Sequence, residues 1–209
     1  MSAPAERVFV AGDAGRIETL IELPAASASA ASASGPRGIA LVAHPHPLYG
    51  GSLDNKVAQT LARAFVELGY VALRPNFRGV GASEGVHDDG NGETDDLVKL
   101  AEYASGRFGA LPVALAGFSF GAFVQTRVAK RVTPERVALI ALAVRRAGTD
   151  TVPPDTIVIH GDQDETVPLA DVLRWAEPQE LPVVVVPGAD HFFHRRLHII
   201  RRIVKDAWR

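Results

Sequence analysis

Two apolar stretches, residues 7–10 and 16–23, flank the turn Gly12-Asp13-Ala14-Gly15. Extended segments on either side of a glycine-bearing turn predict a β-hairpin. Beyond it the period changes. Residues 38–43 form a short continuous apolar run, and 54–68 then place Val57, Leu61, Ala64, Phe65 and Leu68 along one helical stripe. The alternation continues with an apolar run at 70–73, a helix at about 94–105, a run at 112–116, a helix from 119 and a run at 136–143. It finishes with a run at 156–160, a helix near 169–175, a run at 182–186 and a C-terminal helix. Strands separated by helices require parallel pairing with right-handed crossovers, so the pattern predicts an α/β fold whose sheet is covered on both faces.

The stretch 24–37 breaks this rhythm, being almost entirely alanine, serine, proline and glycine, and it predicts a flexible surface loop. The hairpin before it is too small to stand alone, so all 209 residues are expected to form a single domain. The C-terminal segment carries Arg195, Arg196, Arg201, Arg202, Lys205 and Arg209, but Leu197, Ile200, Val204 and Ala207 recur at helical spacing. It therefore reads as an amphipathic helix with a basic solvated face. With a formal net charge of -2 the chain offers no global attraction to polyanions, and no nucleic-acid partner is expected.

The absence of cysteine excludes disulfides, thiol nucleophiles and thiolate metal sites. Residues 1–9 lack the apolar core of a secretory signal, and the longest apolar run, 137–144, falls far short of the roughly 20 residues that span a bilayer. The expectation is a cytoplasmic protein with no membrane partner, whose chemistry comes from oxygen and nitrogen side chains.

Gly-x-Ser-x-Gly occurs twice, as Gly81-Ala82-Ser83-Glu84-Gly85 and Gly117-Phe118-Ser119-Phe120-Gly121. A nucleophilic serine in this pattern needs a sharp turn from a strand into a helix, which lifts its hydroxyl above the sheet. Ser119 meets the requirement, since 113–116 reads as a buried strand and 122–129 as a helix. Ser83 does not, because a polar loop, 87–92, follows it. A serine at a helix start could also serve only as an N-cap.

A serine hydroxyl needs a base, and the base needs a group that holds its tautomer. His191 follows the apolar run 182–186, on the same sheet edge as the Ser119 turn. Between the two in sequence, the loop Gly161-Asp162-Gln163-Asp164 offers two carboxylates. Asp164 is the preferred acid, with Asp162 expected to hydrogen-bond its own turn. Asp190, adjacent to the base, is expected to form a turn as well.

With Ser119, Asp164 and His191 in that order, each after its own strand, the chain resembles the α/β-hydrolases over nearly its whole length. Within them it is similar to small lidless bacterial hydrolases related to the dienelactone hydrolases, although those carry a cysteine nucleophile where this chain has serine. The resemblance extends to Ala43-His44-Pro45-His46-Pro47-Leu48-Tyr49-Gly50-Gly51, to the arginine-glycine loop 74–83, and to Gly161-Asp162-x-Asp164-x-x-Val167-Pro168. It implies eight mostly parallel strands, an antiparallel second strand and no cofactor. It also implies an oxyanion hole formed by the backbone N–H of Phe120 and one from the loop after the third strand. Proline has no N–H, which leaves His46, Leu48 or Tyr49, and the resemblance points to His46.

Only about a dozen residues, 144–155, separate the sixth strand from the seventh, too few for a helical lid. The expected activity is hydrolysis of a small-molecule ester or related acyl bond at an open site. Arg78, Arg145 and Arg146 are candidates for meeting a substrate carboxylate. The competing readings are a metal-dependent hydrolase using His44 and His46, with His194 and His198 as an i, i+4 pair, and a non-catalytic binding protein of the same fold.

Overall fold

The computed structural model describes residues 5–24, 35–146 and 149–208. Most of the predicted Ala/Ser-rich loop, 25–34, lies outside the described residues. The chain alternates as the pattern requires: β1 (Ala5–Gly12), β2 (Gly15–Glu22), β3 (Gly38–Ala43), α1 (Lys56–Glu67), β4 (Tyr70–Pro75), α2 (Asn91–Phe108), β5 (Val113–Phe118), α3 (Phe120–Val128), β6 (Arg136–Ile140), β7 (Ile157–Gly161), α4 (Leu169–Ala176), β8 (Val183–Val186) and α5 (Leu197–Ala207).

The eight strands form one sheet in the order β1-β2-β4-β3-β5-β6-β7-β8. The hairpin pairs antiparallel from Ala5 opposite Glu22 to Gly12 opposite Gly15, and β2 joins β4 antiparallel. Every pairing from β4 through β8 is parallel. The central strands β3, β4 and β5 are buried on both faces, which is why they read as unbroken apolar runs. Among the described residues no helix interrupts 141–156, in keeping with the expected lack of a lid.

Helices α1 and α5 cover one face. Phe65 of α1 lies edge-on to Tyr70 and Trp208, at ring centroid separations of 5.6 and 4.9 Å. The predicted stripe of α5 is inward, with Ile200 and Val204 fully buried, and two residues of its basic face, Arg201 and Lys205, pair with Glu67 of α1. Helices α2, α3 and α4 cover the other face through Leu97, Leu100, Phe123, Val124 and Val172.

Helix α2 starts earlier than expected, at Asn91, because Gly90 adopts a left-handed φ of 95° and Glu93 accepts its N–H at 2.8 Å. Strand β6 stops earlier, at Ile140, because Ala141 turns to a φ of 46° and redirects the chain. Phe65→Ala would remove the ring that joins α1, β4 and the C-terminal helix, and should cost about 3–5 kcal/mol of stability in urea titration.

Candidate active site

Ser119 sits between β5 and α3 with φ 54° and ψ −113°, a backbone conformation that a non-glycine residue adopts only when its surroundings enforce it. Three hydrogen bonds hold the turn. The Ser119 N–H donates to Ile140 O at 2.9 Å, and its carbonyl accepts from Phe123 N–H at 3.1 Å and Ala143 N–H at 3.4 Å. The flanking glycines let backbones touch. A Cβ on Gly117 would strike the Gly121–Ala122 backbone, and one on Gly121 would strike the carbonyls of Ala43 and His44. The Ser119 side chain makes no capping bond to α3, which removes the N-cap role considered for it.

Its hydroxyl instead lies 3.1 Å from His191 Nε2, and His191 Nδ1 lies 2.6 Å from Asp164 Oδ2. All three residues are buried. A carboxylate only accepts, so Nδ1 carries the proton and Nε2 presents its lone pair to the serine. The other Asp164 oxygen, Oδ1, accepts the N–H groups of Thr166 at 2.9 Å and Val167 at 2.7 Å, which satisfies an otherwise costly buried charge. The rings of Phe118 and Phe192 pack on His191 at 5.1 Å each.

On the other side of Ser119, Pro47–Tyr49 forms a single 3₁₀ turn after His46. Leu48 N–H donates to His46 Nδ1 and Tyr49 N–H to His46 O, both at 3.2 Å. The His46 ring packs against Phe120, Tyr49 and His87 at 4.7 to 4.9 Å. Partial burial, then the nearby Arg146 and His87, lower its pKa to about 4, so it is neutral near pH 7.

The sequence profile of the X-Pro dipeptidyl-peptidase (S15) family matches residues 13–153, a span that holds the Ser119 turn and ends before Asp164 and His191. The chain belongs to the S15 family, within the α/β-hydrolases. Over 96% of its length it is 32% identical to an uncharacterized protein of Rickettsia prowazekii, covering 87% of that protein. Among solved structures, a Xanthomonas campestris protein described as an α/β serine hydrolase without a lid is 36% identical, with a TM-score of 0.89 over 99% of this chain and 94% of the other. An α/β serine hydrolase homologue from Coxiella burnetii is 35% identical, with a TM-score of 0.87 over 99% and 97% of the two chains.

Other parts of this hydrolase resolve differently from their sequence expectations. Ser83, in the second glycine-serine pattern, donates to Asn76 O at 2.7 Å and accepts Glu18 N–H at 2.9 Å, pinning the loop after β4 to the hairpin. Asp162 does not bond its own turn; its Oδ1 accepts the Gly188 N–H at 2.5 Å and so ties the loop after β7 to the one that carries His191. Asp190 has the expected turn role, bonding the N–H and ring of His194 at 3.0 and 2.6 Å.

The metal reading fails on the placement of its ligands. His44 is fully buried, donating from Nδ1 to Pro45 O at 2.6 Å and accepting Phe77 N–H on Nε2 at 2.9 Å, so neither nitrogen is free for a metal. His194 lies in the turn before α5 rather than on the helix, and its ring engages Asp190, so it forms no helical pair with His198.

Arg78 faces inward to a two-pronged ion pair with Asp96, both contacts at 2.8 Å, and anchors the loop after β4 to α2. Arg145 pairs with Asp171 of α4. Arg146 alone of the three borders the site, its guanidinium 4.8 Å over the Phe120 ring and 3.6 Å from exposed Asp89. The sequence reading overlooked His160, a fully buried residue of β7 whose Nε2 is 3.5 Å from Asp164 Oδ2. Its signal was available as a histidine ending the apolar run that leads into the acid loop.

Burial lowers the His44 pKa from 6.5 to about 4. The unfolded chain takes up a proton below 6.5 that the folded chain refuses until about 4, so stability falls as pH drops through that window. His44 alone should remove about 3 kcal/mol between pH 7 and pH 4. Urea titrations across this range should show that decline, and His44→Gln, though less stable at pH 7, should show a shallower one.

Proposed function

We propose that the chain is a serine esterase that forms an acyl-enzyme on Ser119, with His191 as general base and acid and Asp164 as the group that orients it. One observation carries this reading: the continuous hydrogen-bond chain from Ser119 Oγ to His191 Nε2, at 3.1 Å, and from His191 Nδ1 to Asp164, at 2.6 Å. As Ser119 attacks the acyl carbon, His191 accepts its proton at Nε2 and the imidazolium is stabilised by the Asp164 charge. The same proton passes to the departing alcohol. Water then repeats the sequence to release the acid.

The tetrahedral oxygen needs preorganised donors. The Phe120 N–H, at the start of α3, is the first. For the second, Leu48 and Tyr49 already spend their N–H groups on His46 and the prolines have none, which favours the His46 N–H. Exposed Leu48, Tyr49, Val86 and Phe192 stand on the loops after β3, β4 and β8, at the edge that holds Ser119. An apolar rim of this kind suits an ester with an aryl or alkyl group, a small molecule met in the cytoplasm.

The matched family favours a second reading, cleavage of an amide after an X-Pro pair. Purified protein offered p-nitrophenyl esters and X-Pro p-nitroanilides should hydrolyse the esters faster, and the opposite ranking would replace the esterase reading with the peptidase one. A fluorophosphonate should label Ser119. Ser119→Ala should abolish labelling and lower kcat by about 10⁴-fold or more, and Asp164→Asn should lower kcat by about 10⁴-fold. Ser83→Ala should retain labelling, and a chelator should leave turnover unchanged. No adduct on folded protein would sink the proposal.

A further inference from the structure

The mechanism above leaves one buried imidazole beside the reacting groups without a task. His160, at the end of β7, has no exposed surface. Its Nε2 is 2.8 Å from the Val167 carbonyl, which can only accept, so that nitrogen carries the proton. The same N–H lies 3.5 Å from Asp164 Oδ2, the oxygen that receives the His191 Nδ1–H. Val167 is therefore held from both sides, its N–H by Asp164 Oδ1 at 2.7 Å and its carbonyl by His160.

His160 Nδ1, by contrast, has no hydrogen-bond partner. A buried, unpartnered nitrogen costs stability, and an apolar side chain of similar volume would avoid that cost. The imidazole is thus poorly explained by packing. Burial also lowers its pKa, which keeps it neutral at a position where a second positive charge would oppose protonation of His191.

We propose that His160 is a positioning residue for the acyl-transfer reaction, a neutral donor that clamps the Asp164–Val167 turn and keeps Asp164 Oδ2 aimed at His191. The inference rests on the serine-esterase reading above. It acts through Asp164: the Thr166 and Val167 N–H groups hold Oδ1, and without the clamp on the Val167 carbonyl this turn can shift, so that the imidazolium formed in the transition state loses part of its oriented counter-charge. Substrate binding does not involve it, so kcat should change and KM should not.

The test compares the wild type with His160→Leu, which removes the N–H, and His160→Gln, whose side-chain amide can restore a donor near the Nε2 position. With a p-nitrophenyl ester, His160→Leu should lower kcat by about tenfold or more at unchanged KM. His160→Gln should recover most of the loss. The low-field proton signal of the His191 Nδ1–H to Asp164 hydrogen bond should shift in the Leu variant and return in the Gln variant, and thermal unfolding shows whether each variant is folded. Equal kcat in the wild type and a folded His160→Leu, or a loss that Gln does not reverse with the proton signal unmoved, would overturn the proposal. Failure of the wild type to react with fluorophosphonate would instead overturn the esterase reading and this inference with it. Should His160→Leu not fold, the kcat of folded His160→Gln decides: activity near wild type upholds the clamp, and a loss of tenfold or more overturns it.

Discussion

The contact on which the site depends is the near-touching of backbones around Ser119. A residue with φ 54° and ψ −113° costs on the order of 1–3 kcal/mol, and it persists only where neighbouring structure leaves no alternative. Here Gly121 lies against the carbonyls that end β3, and Gly117 lies against the first turn of α3. Strand β5, helix α3 and the end of β3 are thereby fixed within backbone contact of one another. The serine hydroxyl is raised towards His191 as a consequence of that closeness, and no side-chain contact of its own would suffice. The Ile140 carbonyl adds β6 to the arrangement, so three neighbouring parallel strands determine one oxygen position.

Parallel pairing does the remaining assembly. Because β3 through β8 run in one direction, the loops that follow β3, β5, β7 and β8 emerge along a single edge, although they are far apart in sequence. Asp164 and His191 are 27 residues apart and Ser119 and His191 are 72 apart, yet they meet at hydrogen-bond distance. The loops are also tied to one another. Asp162 binds the Gly188 amide, Val167 is shared between Asp164 and His160, and Ser83 pins the loop after β4 to the hairpin. The ties through Val167 and Ser83 use polar groups already committed to burial, so satisfying them and positioning the site are one requirement.

This division explains what could be read from the sequence. The sheet, its helices and the antiparallel hairpin were legible because two-sided burial writes continuous apolar runs and one-sided burial writes helical stripes. Ser119 was distinguishable from Ser83 because only one of the two patterns joins a strand to a helix. The early start of α2 was not legible, since it depends on Glu93 reaching back to Gly90 rather than on any apolar period. Nor were the fates of His44, Arg78 and Asp162, whose partners lie 33, 18 and 26 residues away. Pattern reveals which face a residue occupies, whereas the partner of a buried polar group is set by tertiary contact.

The edge that carries Ser119 is asymmetric in a way that bears on specificity. On the His191 side stand the rings of Phe118 and Phe192, with His194 and its partner Asp190 beyond Phe192. On the Phe120 side stand His46, His87 and the Arg146 guanidinium, which stacks over the Phe120 ring while pairing only loosely with exposed Asp89. His46 is neutral there, and the Arg146 guanidinium faces the carboxylates of Asp89 and Glu93 around it. Under the proposed esterase mechanism the acyl group and its alcohol would meet different surroundings, aromatic rings on one side and imidazole and guanidinium groups on the other. Without a lid to add contacts, discrimination between substrates has to arise from these short loops, and each loop is also bound to the machinery it borders. A change in Tyr49 or Phe192 consequently reaches His46 or His191 through a ring contact of about 5 Å, which under the proposed mechanism couples specificity to rate.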